Sequence, residues 1–201
     1  MYKSLLIISL VFSLISCGEQ STIEPTISQK GGLSTDHANE FRRDIIKIEK
    51  NIYIAIGYAL ANVIMIVGDN ENIIIDTAGS EESATEIKKD LNKISNNPIN
   101  NIIYTHNHPD HIGGATIFAS DTNVKVYGQE NILYNIDNIS TIIRPIIYER
   151  SARQFGIPLN KESIVHQGIG GFLEINADTT SGLIRPNVTF DKILNLKIDN
   201  I

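Results

Sequence analysis

The most constraining feature of this sequence is a cluster of metal-binding residue types between His106 and His111. Three of the five histidines in the chain, together with an aspartate, fall within these six positions. A single histidine in a segment rich in Asn, Asp and Pro would be explained as a solvated turn residue. Neutral imidazole nitrogens and carboxylate oxygens together, however, are the normal protein ligands of zinc and similar divalent ions. The cluster therefore predicts a metal site with four candidate ligands: His106, His108, Asp110 and His111.

The spacing of these residues predicts two neighbouring ions. If the preceding segment is a strand, His106 and His108 point to the same side and both reach one ion. Asp110 and His111 follow the bend expected at Pro109 and would face a second ion. Because two adjacent ions can make a bridging water nucleophilic near neutral pH, this arrangement indicates a hydrolase.

The cluster resembles the H-x-H-x-D-H signature of the metallo-β-lactamase superfamily. The segment Ile73–Thr77 resembles the strand that ends in an aspartate ahead of that signature. Within the superfamily the sequence is most similar to the alkyl sulfatase branch, which further segments resemble: 57–62, 103–108, 149–156 and 168–170. The resemblance extends over residues 40–201 and covers only the first part of a family chain.

This resemblance implies a layered α+β fold, an αββα sandwich of which residues 41–201 would form an incomplete, N-terminal portion. It implies zinc as the cofactor, with two ions in the complete family site, and hydrolysis of alkyl sulfate esters by a metal-activated water. The family aspartate that matches Asp76 braces the metal loop by hydrogen bonds and is not a ligand. The alternative for Asp76 is a simple turn-forming residue. No catalytic residue other than the metal ligands is assigned.

Composition bounds the fold and the partners. A chain of 201 residues with 42% hydrophobic and 20% charged residues fits one globular domain. Its net charge of −6 arises without a basic stripe. Nucleic acid is therefore not expected as a partner. A homodimer is expected only if further domains follow downstream.

The N-terminal residues predict export and lipid attachment. Residues 1–16 combine a basic start with a short apolar run, which is typical of a signal peptide and too short to span a bilayer. A buried N-terminal helix is the alternative. Cys17, the one cysteine of the chain, ends a segment that resembles a bacterial lipobox. Residues 17–40 would be a flexible tether. We therefore expect a membrane partner through a lipid anchor, in the cell envelope and facing the periplasm in a Gram-negative cell.

The remaining pattern predicts alternating strands and helices. Short β-branched runs predict strands at 45–48, 52–56, 62–67, 72–76, 99–105, 124–127, 184–190 and 193–198. Helices are expected at 80–94, with Ser80 as N-cap, and at 114–119, 130–136 and 149–155. The pair Gly113 and Gly114 indicates a close backbone approach beside the metal motif.

A site with two ions needs more ligands than the motif supplies. The acidic and histidine residues that remain after the motif are Glu130, Glu149, Glu162, His166 and Glu174, and none lies in a ligand-like cluster. By resemblance the missing ligands lie beyond Ile201, and residues 197–201 have the pattern of the middle of a strand. We therefore expect a truncated chain with weak metal affinity and little activity.

Two other functions stay open from the sequence. One is another hydrolase of the same fold, such as a lactamase or a thioesterase-like enzyme. The other is an envelope lipoprotein fragment without catalysis. Arg150 and Arg153 are three residues apart on a predicted helix, where a solvated surface and a role in binding the sulfate group are equally consistent with the sequence.

Overall fold

The fold is built on one mixed seven-stranded sheet. The computed structural model describes residues 39–159, 166–171, 173–174 and 179–201. The strands are β1 (Asp44–Glu49), β2 (Ile52–Ile56), β3 (Val63–Val67), β4 (Asn72–Ile75), β5 (Ile99–Ile103), β6 (Lys125–Gln129) and β7 (Val188–Phe190). The helices are α1 (Glu81–Leu91), α2 (Pro109–Ile112), α3 (Ala115–Phe118), α4 (Asn131–Ser140) and α5 (Arg144–Gln154), with a short 3-10 helix at Asn39–Phe41.

The strands follow one another in the sheet in the same order as in the chain. β1 to β4 pair as an antiparallel meander, because the short loops between them allow only tight reversals. β4 to β7 then run parallel, and α1 provides the crossover from β4 to β5. Parallel pairing places the carboxyl ends of β4 and β5 side by side. The histidine motif, residues 105–114, follows β5.

One face of the sheet is covered by helices. Side chains that alternate along β3 to β6 point to this face, and they include Ile74 and Ile102, both fully buried. Against them pack Ile87 of α1 and Phe118 of α3, in a single core cluster to which α4 also contributes. A sheet layered against helices is the predicted α+β class, and this sheet with its helices is part of the expected αββα sandwich.

The opposite face of the sheet carries a smaller cluster. Ile73 of β4 and Tyr127 of β6 are buried there against Ile198. The segment that includes Ile198 is held by Asp199, whose carboxylate accepts hydrogen bonds from the backbone and side-chain nitrogens of Asn70 at 2.6 and 2.8 Å. The end of the described chain therefore covers part of this face as a turn.

Most of the predicted elements are present, with shifted ends. Ser80 caps α1 as expected, and its hydroxyl accepts a hydrogen bond from the Ser83 N–H at 3.2 Å. The strand expected at 184–190 shortens to β7, and the strand expected at 193–198 is wrong. Residues 197–201 do not continue a strand either, because Asp199 takes a left-handed backbone conformation with φ 53° and makes a turn. Ile193, at the start of the expected strand 193–198, is 81% exposed. The apolar residues of that segment therefore do not indicate a buried strand.

The N-terminal predictions lie outside the described residues. They are the signal peptide at 1–16, Cys17 and nearly all of the tether at 17–40. In the described ranges of the chain, no helix has the length and apolar character needed to cross a bilayer.

The buried face of the sheet gives a stability prediction. We expect Ile74→Ala to lower the free energy of unfolding by about 2–5 kcal/mol, because Ile74 is fully buried and the change leaves a cavity. Ile193→Ala, which removes the same atoms from an exposed position, should change it by no more than about 0.5 kcal/mol. Urea unfolding of both variants measures the difference, and equal effects would contradict this core assignment.

Candidate metal centre

The candidate site lies where β4 and β5 end. The two strands are parallel neighbours in register from Ile73 and Asn101 to Ile75 and Ile103. Asp76 follows β4 directly, and its N–H donates to the Ile103 carbonyl at 2.9 Å. The loop after β4 and the motif after β5 therefore leave the sheet at one edge.

The histidine motif is a loop followed by one helical turn. β5 ends at Ile103, because the N–H of Thr105 donates to Asp76 Oδ1 at 2.8 Å instead of to a neighbouring strand. The prediction that the strand extends to Thr105 and carries alternating histidines is therefore wrong. His106 and His108 lie in the loop, and α2 begins at Pro109 and contains Asp110 and His111.

Backbone hydrogen bonds hold the loop after β4 against the motif. The N–H of Thr77 donates to the His111 carbonyl at 2.7 Å, and the Gly113 N–H donates to the Ala78 carbonyl at 2.8 Å. Ala78 itself has φ 61°, a conformation that costs a non-glycine residue about 1–3 kcal/mol. These hydrogen bonds offset that cost and keep the two loops in contact.

The glycine pair permits this contact. A Cβ atom on Gly113 would lie 2.0 Å from the Gly79 carbonyl oxygen, and one on Gly114 would lie 2.3 Å from the Thr77 carbonyl oxygen. Both distances are far below van der Waals contact. The close backbone approach predicted from the glycine pair is confirmed.

Asp76 is buried and accepts three hydrogen bonds from the motif. Its Oδ1 accepts from the Thr105 N–H at 2.8 Å. Its Oδ2 accepts from the Thr105 hydroxyl and from His111 Nδ1, each at 2.7 Å. The carboxylate thus contacts the histidine motif through side chains as well as backbone, and its bond to His111 leaves Nε2 of that ring facing away from Asp76.

The three imidazole rings of the motif are neighbours. The centroid of the His106 ring lies 4.5 Å from that of His108 and 4.1 Å from that of His111. Asp110 Oδ2 lies 3.5 Å from His111 Nε2. The structure therefore brings together all of the residues that the sequence predicts as ligands.

Two of the rings have perturbed proton affinity. Burial and the positive charge that neighbouring His111 and His108 would carry both lower the pKa of His106. Burial also opposes protonation of His111, but the hydrogen bond and the negative charge of Asp76 outweigh it and raise the pKa of His111. The neutral, ligand-competent form of His106 is thus favoured by its surroundings.

The donor set fits a divalent ion in chemistry and, for one pair, in spacing. Two ligands of a tetrahedral zinc ion at about 2.0–2.2 Å from the metal are about 3.4 Å from each other, close to the separation of Asp110 Oδ2 and His111 Nε2. Across the part of the chain that the structure describes, no three His, Cys, Asp or Glu side chains surround a point as ligands of one ion. Asp110 and His111 are therefore the pair of donors whose spacing suits one ion.

In the described part of the chain, the other acidic and histidine residues considered as further metal ligands either lie apart from the four ligand candidates or have a different role beside them. Glu130 and Glu149 are exposed, Glu162 lies outside the described residues, and His166 packs on the ring of Phe41 at a centroid distance of 5.2 Å. Glu174 was not expected near the site, yet it caps the start of α1. It accepts hydrogen bonds from the Gly79 N–H at 2.9 Å and from the hydroxyls of Ser80 and Ser83.

Arg150 and Arg153 lie on α5, in which no residue is buried. They line a shallow groove of about 470 Å³ together with Ile146, Glu149 and Gln154, all from the same helix. None of these lining residues belongs to the histidine motif. The groove therefore provides no link between the arginines and the candidate metal centre.

Comparison with known proteins finds one matching superfamily. Residues 57–150, a little under half of the chain, match the metallo-beta-lactamase superfamily. The matched residues include Asp76, the whole histidine motif and the N-terminal part of α5, so the candidate centre lies inside the matched segment.

Characterised relatives are alkylsulfatases. The linear primary-alkylsulfatase of a Pseudomonas species is 35% identical over 133 residues, which cover 63% of this chain and 25% of that protein. The alkyl/aryl-sulfatase BDS1 of Saccharomyces cerevisiae is 28% identical over 181 residues, covering 86% of this chain and 26% of that protein. The chain therefore spans about a quarter of the length of these relatives.

Solved structures confirm the fold of the superfamily domain. A double mutant of the sec-alkyl sulfatase PisA1 matches with a TM-score of 0.68 and 25% identity, over 79% of this chain and 26% of that structure. The metallo-β-lactamase fold predicted by resemblance is thus confirmed for a part of the complete fold.

The contact between the two loops gives a second prediction. Gly113→Ala should lower the free energy of unfolding by about 1–3 kcal/mol or more, because its methyl group would overlap the Gly79 carbonyl. Gly171→Ala is the matched control, since a Cβ there would meet its nearest atom at an ordinary 3.5 Å. Denaturant unfolding measures both. If Gly113→Ala is as stable as the control, the loops do not approach as described.

Proposed function

We propose that this chain provides metal ligands for the zinc-dependent hydrolysis of alkyl sulfate esters. The observation that carries the proposal is the group formed by His106, His108, Asp110 and His111 beside Asp76, inside a superfamily domain whose characterised relatives are alkylsulfatases. The superfamily match and these relatives support the hydrolase function. The alkyl sulfate substrate and the zinc ion are proposed together with it.

Each side chain of the centre has a proposed role. His106, His108, Asp110 and His111 would hold zinc, and Asp76 would orient His111 without touching the metal. When bound, the zinc would polarise the sulfate ester and lower the pKa of a water molecule so that it attacks at neutral pH. The protein supplies the edge of the sheet that holds these groups and the loop that keeps them close.

We propose alkyl sulfates as the substrate because the similar proteins are sulfatases. Both relatives described above are sulfatases, whereas the histidine motif alone would serve a lactamase or a thioesterase-like enzyme equally well. The alternative that is not an enzyme is an envelope lipoprotein fragment without catalysis. A panel of substrates separates these functions.

Zinc binding tests the ligand assignment. We expect the chain to bind zinc weakly, since the motif offers fewer donors than two ions need. His108→Ala should weaken binding by about tenfold or more because it removes a donor. His166→Ala, which changes a histidine outside the motif, should leave the affinity unaltered. Competition against a zinc chelator measures both, and equal affinities for the two variants would contradict the assignment.

Activity tests the substrate. Release of sulfate from dodecyl sulfate should be slow, should stop when a chelator removes zinc, and should be absent in His108→Ala. A β-lactam and a thioester should be hydrolysed more slowly than the sulfate ester. Zinc-dependent turnover of the lactam or thioester without sulfate release would contradict an alkyl sulfate substrate. Zinc binding without turnover of any of the three would favour a non-catalytic role.

We also propose that the protein is held in the cell envelope by a lipid on Cys17. The apolar run before this cysteine and the lipobox-like residues 14–17 support the proposal. Several acyl chains on one residue anchor a protein firmly, because each buried methylene contributes about 0.8 kcal/mol.

Membrane fractionation of a bacterium that expresses the chain tests this anchor. We expect the unchanged protein in the membrane fraction, labelled when the cells receive radioactive fatty acid. Cys17→Ser should abolish the label, whereas Ser21→Ala, a change in the predicted tether, should retain it. Labelling of the Cys17→Ser variant would show that another residue is modified.

A further inference from the structure

The Thr105 hydroxyl lies between the buried carboxylate and a candidate ligand. Its oxygen is 2.7 Å from Asp76 Oδ2 and 3.0 Å from His106 Nδ1. The same residue donates its backbone N–H to Asp76 Oδ1 at 2.8 Å. Two hydrogen bonds to one carboxylate fix the position of Thr105, and therefore of the hydroxyl beside the His106 ring.

The direction of each hydrogen bond follows from the number of protons available. An ionised carboxylate only accepts, so the single hydroxyl proton of Thr105 is directed to Asp76. The hydroxyl oxygen can then interact with His106 Nδ1 only as an acceptor. Nδ1 must carry a proton to donate, and in a neutral imidazole this leaves the lone pair on Nε2.

We infer that Thr105 is a positioning residue that links the Asp76 carboxylate to His106 by hydrogen bonds. Through this link it selects the form of the His106 ring that is protonated on Nδ1. His111 receives the same selection directly, through its Nδ1 bond to Asp76 at 2.7 Å. One carboxylate therefore prepares two rings of the motif to bind through Nε2. The proton placement stands on the hydrogen bonds alone, and its consequence for zinc rests on the proposed function.

The two connections differ in their exposure to water. The His111 and Asp76 side chains are 22% and 8% exposed, so their bond is shielded. Thr105 is exposed, and water competes with its bond to His106. The effect of losing the Thr105 hydroxyl on zinc affinity should therefore lie near the lower end of the range for partners of metal ligands, about tenfold.

The test compares Thr105→Val, which keeps the shape of the side chain and removes the hydroxyl, with Thr105→Ser, which keeps the hydroxyl. Thr85→Val is a matched control, since it removes an exposed hydroxyl on α1 that donates to the Glu81 carbonyl within its own helix. Circular dichroism establishes that each variant is folded.

Nitrogen NMR of the imidazoles in the zinc-free chain, at a pH where the rings are neutral, reads the proton position directly. We expect His106 protonated on Nδ1 in the unchanged chain, in Thr105→Ser and in Thr85→Val. In Thr105→Val the proton should shift towards Nε2, while His111 stays protonated on Nδ1. His106 protonated on Nε2 in the unchanged chain, or no change in Thr105→Val, would overturn the inference.

Zinc affinity then tests the consequence separately. Thr105→Val should bind zinc about tenfold more weakly than the unchanged chain, and Thr105→Ser and Thr85→Val should bind as the unchanged chain does. If the unchanged chain binds no zinc, the proposed function fails while the NMR result still decides the proton position. If Thr105→Val shifts the proton but binds zinc as tightly as Thr85→Val, the link has no role in ligand preparation and that part is overturned.

Discussion

The Asp76 carboxylate connects the loop after β4 to the histidine motif. It follows β4, accepts the backbone N–H that ends β5, and contacts two histidines, one directly and one through the Thr105 hydroxyl. A buried carboxylate must find donors, because an unpaired one is costly to keep away from water. The motif supplies those donors, so the same hydrogen bonds that satisfy Asp76 also position the rings of His106 and His111.

The sheet and the glycines make that connection possible. Parallel pairing of β4 and β5 places both loops at one edge, and helix α1 covers the face beneath them. Gly113 and Gly114 then let the backbone of the motif lie directly on the carbonyls of residues 77–79. Any side chain at those glycines would separate the loops and move the rings away from Asp76. The site thus depends on residues that bear no metal-binding group.

The sequence predicts what depends on local pattern and misses what depends on distant partners. β-branched runs, the Ser80 cap and the glycine pair predicted strands, a helix start and a close approach, each set by neighbouring residues. The end of β5 was misplaced because the N–H of Thr105, two residues after the strand, donates to a carboxylate 29 positions earlier in the chain. Glu174 binds Ser80 across 94 positions, and no local pattern indicates this partner. The strand expected at 193–198 was wrong because apolar composition alone does not provide a neighbouring strand.

The central claim is that one carboxylate directs two histidines towards zinc through their Nε2 atoms. A crystal structure of the zinc-soaked protein, with anomalous density measured at the zinc edge, tests it most directly. We predict zinc at about 2.0–2.1 Å from Nε2 of His106 and of His111, with the contacts of both Nδ1 atoms unchanged. Zinc bound through Nδ1 of either ring, or bound away from the motif, would contradict it.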